Sequence, residues 1–156
     1  MNQTTEISCV SHGAAETRAF AARAAATFGP RASYALEGDL GAGKTCFVQG
    51  LCDALGIRAA VVSPTFAIAG EYSDPETGRR LVHLDLYRLD GPADLDSIGW
   101  DDYLDSGDPM AVEWPDRADR FLPSSFVKVS FSIGPGPDDR TIAATGPAAL
   151  RIGILR

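Results

Sequence analysis

The sequence is most constrained between residues 36 and 47, "LEGDLGAGKTCF". Inside it, Gly38-Asp39-Leu40-Gly41-Ala42-Gly43-Lys44-Thr45 sets three glycines, a lysine and a threonine at fixed spacing. The preceding "ASYALE" (32–37) reads as a strand that runs straight into this run. The following "KTCFVQGLCDAL" (44–55) carries Phe47, Leu51 and Leu55 at four-residue intervals, with Gly56 as a stop, and reads as a helix. A strand that turns through a glycine loop directly into a helix implies an α/β sheet packed by helices.

The chemistry of such a loop follows from its residue types. Glycines let the backbone take unusual angles, and they keep side chains away from a ligand that must touch main-chain N–H groups. The helix behind the loop directs the positive end of its dipole at the same point. A lysine there reaches the β and γ phosphates, and a threonine hydroxyl can ligate Mg²⁺. The expected ligands are therefore a nucleoside triphosphate and Mg²⁺. The expected binding positions are Asp39, Gly41, Ala42, Gly43, Lys44 and Thr45, with Thr45 on the metal. Read singly, the glycines could serve tight packing and Lys44 could be a solvated surface lysine; the whole pattern in its strand–loop–helix context favours a triphosphate.

An acidic residue should accompany the metal, at the end of an apolar strand. Two positions qualify. Asp85 follows Leu81, Val82 and Leu84, and Glu113 follows Met110, Ala111 and Val112. The alternative for Asp85 is a polar place on a half-exposed hairpin strand, sharing a face with His83 and Tyr87. The alternative for Glu113 is a structural carboxylate. Glu113 has the cleaner context, directly after a buried-type strand, at the strand end where ligands gather in open α/β sheets. Thr65 in "SPTF" is either a hydroxyl that senses the γ phosphate, as switch loops do, or an ordinary strand-start threonine.

The rest of the chain completes a mixed sheet with a parallel core and antiparallel additions. Residues 5–10 read as a strand and 14–28 as an alanine-rich helix with Phe20, Ala24 and Phe28 on one face, stopped by Gly29-Pro30. Residues 63–72 and 80–89 read as two strands of a hairpin across "SDPETG". Residues 92–106 read as one helix or two short ones, beginning at Pro92. Residues 109–114 read as a buried strand. "SFVKVSFSI" and "RTIAATG" form a second hairpin across "GPGPDD". The expected organisation is a single domain over 1–156, with helices on both faces of the sheet.

Composition narrows the function classes. The 156 residues are 45% apolar and 22% charged, an ordinary balance for a globular protein. No apolar run approaches the roughly 20 residues that span a bilayer. "MNQTTEISCVSHG" lacks the basic start and apolar core of a signal peptide, so the expected location is the cytoplasm. Cys9, Cys46 and Cys52 follow no metal-binding spacing and are expected to be reduced thiols. A net charge of -7 weakens a direct grip on nucleic acid and fits a protein whose partner carries the basic surface.

Four segments together, "GDLGAGKT", "SPTF", "HLDLYRL" and "VEWPDR", resemble the TsaE (YjeE) family of small bacterial P-loop ATPases. The resemblance covers roughly residues 5–133. It implies slow, magnesium-dependent ATP hydrolysis in support of the threonylcarbamoyladenosine (t6A) modification of tRNA. It implies action with TsaB and TsaD, the latter modifying adenosine 37 of tRNAs that read ANN codons, so that tRNA is met only through that complex. It implies that this subunit does not itself transfer the threonylcarbamoyl group. Carried over by position, Gly41 to Thr45 bind phosphates, Glu113 is the acidic residue by the metal, and Asp85 is a carboxylate that activity depends on. Trp114 packs near the nucleotide or the partner, or else fills the core, and the turn from Ser11 to Thr17 approaches the nucleotide. The catalytic set is then Lys44, Asp85, Glu113 and Thr65. Cys46 departs from the family's threonine or serine, which removes a hydroxyl from the α-phosphate side, and Asp116 stands at an exposed position where a longer side chain is common.

Two other classes compete. A small-molecule P-loop kinase would use Arg117 and Arg120 of "RADR" as a phosphate clamp. The chain lacks an acceptor-binding insert, and a hairpin replaces the helical substrate domain such kinases tend to have. A nucleotide-gated binding module would recruit its partner without needing hydrolysis.

Overall fold

A computed structural model describes residues 3–64 and 68–147. A seven-stranded sheet runs through it. Its strands are β1 (Thr4–Ser11), β2 (Tyr34–Glu37), β3 (Ala69–Ser73), β4 (Arg80–Asp85), β5 (Met110–Glu113), β6 (Val127–Ile133) and β7 (Arg140–Pro147), in the spatial order β1-β7-β6-β2-β5-β4-β3. The four central strands are parallel: β2 pairs with β6 on one side and with β5 on the other, and β5 pairs with β4. The antiparallel additions lie outside them, β3 on β4 at one edge and β7 then β1 at the other. This is the α/β sheet the sequence implies.

Strand alternation assigns the two faces. Tyr34, Leu36, Leu81, Ala111, Val127 and Val129 point to one side, where helices α1 (Ala14–Phe28) and α2 (Lys44–Ala54) cover them. Ala35, Val82, Leu84, Met110 and Val112 point to the other. That side is covered by a 3₁₀ segment (Pro92–Ile98) and by helix α3 (Trp100–Ser106), with Leu95 and Trp100 buried. Gly99, at φ 75°, separates the two, so the helical stretch 92–106 is two short elements.

The apolar stripes of α1 and α2 fall where their periodicity places them: Phe20, Ala24 and Phe28 on one, Phe47, Leu51 and Leu55 on the other, all buried. Both helices end at glycines with positive φ, Gly29 at 98° and Gly56 at 74°. They approach closely because small residues face each other. A side chain on Gly50 would lie 2.6 Å from the Arg18 carbonyl oxygen and 2.8 Å from Ala21 Cβ.

Two boundaries differ from the sequence reading by more than two residues. Of the strand expected over 63–72, residues 65–67 lie outside the described residues, and among the described ones strand runs over Ala69–Ser73. Residues 61–64 are irregular, and Ile68 takes a left-handed φ of 67°, which a continuous strand does not allow. The strand expected over 80–89 ends at Asp85, because the Asp85 carboxylate accepts a hydrogen bond from the Tyr87 N–H at 3.0 Å and the chain turns. Nor is β4 half-exposed. Paired on both sides and covered by layers above and below, it buries every residue from Leu81 to Asp85.

All three cysteines are free thiols. Burial, with Asp53 nearby, pushes the Cys52 thiol up to about 12, so it stays protonated and unreactive at neutral pH.

The Gly50 contact can be tested directly. Gly50→Ala drives a methyl group into the backbone of α1, and the expected cost is about 1–3 kcal/mol of stability in urea unfolding. A variant as stable as the wild type would disprove the close approach.

Candidate functional site

Three parallel strands bring the site together at their carboxyl ends. The β2 strand ends at Glu37 and passes into the glycine loop. In register, Glu113 of β5 lies beside Leu36 of β2 on one side and beside Asp85 of β4 on the other. Strand parity turns Leu36, Glu113 and Asp85 toward the same face as α2, so both carboxylates reach the loop that opens α2.

The loop owes its shape to its glycines. Gly41 has φ 77°, and Gly43 has φ 105° at the helix entry. Gly38 is small for a different reason: a Cβ there would lie 2.9 Å from Phe131 Cβ on β6. Beyond Gly43 the helix begins, with the Phe47 N–H bonded to the Gly43 carbonyl at 3.0 Å.

Lys44 is almost completely buried, at 5% exposure. Its ammonium donates to the Gly38 carbonyl at 2.6 Å, lies 4.0 Å from Glu113 Oε1, and sits 4.4 Å from the centre of the Trp114 ring. A buried ammonium requires such partners. Glu113 is equally buried, and its second oxygen, Oε2, lies 2.8 Å from Nε2 of His83, which is fully buried. Trp114 holds a left-handed φ of 56°, a strained conformation for a bulky residue, and its ring packs on Tyr87 at 5.0 Å between centroids.

These groups line an open cleft of about 350 Å³. Its walls are Leu40, Gly41, Gly43, Lys44, Thr45, Cys46, Ser63, Asp85, Glu113 and Trp114. Lys44, Thr45, Asp85, Glu113 and Trp114, singled out from the sequence, thus share one cavity. Ala42 is fully buried beneath the loop and can offer only its backbone. Asp39 does not line this cleft: it borders a second hollow with Glu37, Gly38, Trp114, Pro115 and Asp116, and the two hollows share Trp114. Thr65 lies outside the described residues, one residue beyond Pro64. Asp116 is exposed, as expected, with its side chain 71% accessible.

The oxygen donors in the cleft, Thr45, Asp85 and Glu113, fit a hard cation such as Mg²⁺, which keeps waters and phosphate oxygens and needs few protein ligands. Among the described residues no cluster of three or more His, Cys, Asp or Glu forms a full metal cage. The proposed kinase clamp does not assemble. Arg117 is tied to the Leu89 carbonyl at 3.0 Å, and Arg120 borders a different hollow beside Trp100 and Phe121.

Several contributors escape sequence reading. Arg140, the first residue of β7, donates from Nη2 to the Gly41 carbonyl at 3.0 Å and braces the loop from a strand two places away in the sheet. Next to it, Asp139 holds His12 at 2.8 Å, which links the second hairpin to the turn before α1. Thr17, hydrogen-bonded to Ser11 at 2.8 Å, lies 3.7 Å from the place of a Cβ on Gly43. The turn 11–17 therefore does border the loop, with Thr17 as its closest residue there. Arg140 and Gly41 are 99 residues apart, and His12 and Asp139 are 127 apart, so no local pattern connects either pair.

A strand–glycine-loop–helix unit on a parallel core, with an acidic residue ending the neighbouring strand, places the molecule in the P-loop NTPase fold class. Comparison with known proteins narrows this. A family model described as threonylcarbamoyl adenosine biosynthesis protein TsaE matches residues 11–142. The tRNA threonylcarbamoyladenosine biosynthesis protein TsaE of Bacillus subtilis is 38% identical over 130 residues, covering 83% of this chain and 79% of that one. The protein of the same name from Haemophilus influenzae is 36% identical over 95 residues, 61% of this chain and 59% of its own. The crystal structure of Bacillus subtilis YdiB superposes with a TM-score of 0.69 at 31% identity, covering 94% of this chain and 89% of that one. The chain belongs to the TsaE family. No helix among the described residues is long and apolar enough to cross a membrane.

The His12–Asp139 pair has a pH signature. The Asp139 carboxylate raises the His12 imidazole above its ordinary 6.5, first through the hydrogen bond and then through its charge, and the same bond lowers Asp139 below 3.8. The histidine's contribution to stability is therefore complete below about pH 6.5 and lost as pH rises through its raised folded value. That of Asp139 is present above its ordinary value and lost as pH falls through its lowered one. An NMR titration should show the His12 midpoint falling back toward 6.5 in Asp139→Asn. An unchanged midpoint would exclude the contact in solution.

Proposed function

We propose that this chain is the magnesium-dependent ATPase of t6A biosynthesis, hydrolysing ATP slowly at the glycine loop and acting with TsaB and TsaD in the cytoplasm. One observation carries the reading: a buried lysine at the entry of α2, surrounded by a glycine loop and directly opposed by a buried carboxylate on the adjoining strand. A lysine held this way has a partner waiting to be displaced. An incoming phosphate offers more negative charge at better hydrogen-bonding distance than the 4.0 Å contact with Glu113.

In this reading the loop's backbone N–H groups and the α2 N-terminus receive the β and γ phosphates, and Lys44 meets the charge that builds on the bridging oxygen. Water attacks the γ phosphorus and the bond to ADP breaks, releasing ADP and phosphate. Thr45 and Glu113 hold Mg²⁺, which neutralises phosphate charge when bound. Asp85, one strand further on, is the second carboxylate available to orient water. Trp114 supplies an aromatic wall beside the phosphates. The family membership supports t6A biosynthesis as the purpose, with tRNA reached through the TsaB–TsaD complex and the threonylcarbamoyl transfer performed elsewhere in it.

Two substitutions separate binding from chemistry. Lys44→Ala removes a charge-assisted contact and should weaken ATP binding about 10- to 100-fold in titration calorimetry. Glu113→Gln removes a charged magnesium ligand, so magnesium-free ATP affinity should stay within a few fold while hydrolysis falls about 100-fold or more. Undiminished hydrolysis in Glu113→Gln would remove the carboxylate from the reaction. Glu113→Ala that loses hydrolysis yet still supports adenosine 37 modification in cells would favour the nucleotide-gated binding module instead. Co-purification from the native cell, read by mass spectrometry, should recover TsaB and TsaD; acceptor-dependent ATP turnover in a metabolite screen would instead indicate a kinase.

A further inference from the structure

His83 plays no part in the account above, yet it makes the shortest contact to Glu113. It is fully buried on β4, and its Nε2 lies 2.8 Å from Glu113 Oε2. Its other nitrogen, Nδ1, is buried and meets no hydrogen-bond partner among the described residues. With one acceptor in reach of one nitrogen, the ring carries its proton on Nε2, and that N–H donates to the carboxylate. The two oxygens of Glu113 are thereby given different tasks. Oε2 is tied to the imidazole, and Oε1 is turned toward Lys44 and the cleft.

The imidazole itself has little freedom. Its strand is paired on both sides, at Gly70 of β3 and Ala111 of β5. The Tyr72 ring lies 6.3 Å from it between centroids, and the Tyr72 hydroxyl is fastened to the Val62 carbonyl at 3.0 Å. A glutamate's terminal torsion is broad and roughly two-fold, so a free carboxylate would sample several orientations. A rigid donor behind it selects one.

We propose that His83 is a positioning residue for Glu113, holding the carboxylate in the orientation that presents Oε1 to the phosphates and their magnesium. The proposal rests on the reading of Glu113 as the carboxylate at that metal. Loss of such a backing donor typically costs about 10- to 100-fold in metal affinity or activity.

The test compares His83→Phe, which fills the space without a donor, with His83→Gln, whose amide N–H can reach the same oxygen. For His83→Phe we expect kcat about 10- to 100-fold lower, a higher Mg²⁺ concentration for half-maximal rate, and magnesium-free ATP affinity within about twofold of wild type. His83→Gln should recover much of the lost rate. Independently of activity, the nucleotide-free wild type should show a downfield imidazole N–H proton, protected from exchange, that shifts in Glu113→Gln. A folded His83→Phe variant with wild-type kcat and magnesium dependence, equal impairment of the two variants, or no such proton would overturn the proposal. Where the wild type hydrolyses ATP, these outcomes count against His83 alone. A wild type that hydrolyses none defeats the ATPase reading, and with it this one.

Discussion

The ammonium of Lys44 is the charge around which the rest of the molecule is arranged. An isolated buried cation is costly, and it persists only where partners replace its hydration. Here the partners come from three places. The Gly38 carbonyl belongs to the loop, the Glu113 carboxylate to the end of β5, and the Trp114 ring to the turn beyond it. Glu113 is buried as well, and is held in turn by His83 of β4. One cluster of charges therefore connects the glycine loop to two neighbouring strands. The same cluster leaves Lys44 lining the open cleft beside Thr45 and Asp85.

That arrangement depends on strand order. Because β5 inserts between β2 and β4, and all three run parallel, their carboxyl ends meet side by side. Glu113 then stands between the loop and Asp85, and strand parity turns both acids toward α2. The antiparallel additions serve the site from outside. The β3 strand lines β4 and brings Tyr72 against His83. At the other edge, β7 places Arg140 on the Gly41 carbonyl, and the Asp139–His12 contact closes the turn before α1 against the same region. A loop shaped by glycines, which supply no side-chain contacts of their own, is thus held from both sides by residues distant in sequence.

Some of this was legible in the chain and some was not, for definable reasons. The glycine loop, its strand and its helix could be read because their signals are local: φ-permissive residues at fixed spacing and a four-residue apolar repeat. The stripes Phe20–Ala24–Phe28 and Phe47–Leu51–Leu55 came out as read. The ends of β3 and β4 did not. A left-handed Ile68 and an aspartate that bonds the backbone two residues on both overrule β propensity. Asp85 looked like a possible surface residue because its burial depends on having strands on either side. His83 looked like a mere face-mate of Asp85, since its partner is 30 residues away.

The sequence by itself determined the glycine loop, the class of sheet that must carry it, and the two carboxylates beside it. Each of those is set by residues within a single element and by the backbone freedom or charge they carry. Only the tertiary structure decided which groups face each other: Lys44 against Glu113, His83 behind it, Arg140 on the loop, and Asp39 in the hollow next to the cleft. Those pairings depend on strand order and register. Strand order and register are settled by burying both faces of the sheet at once, a property of the whole chain that no short stretch of it contains.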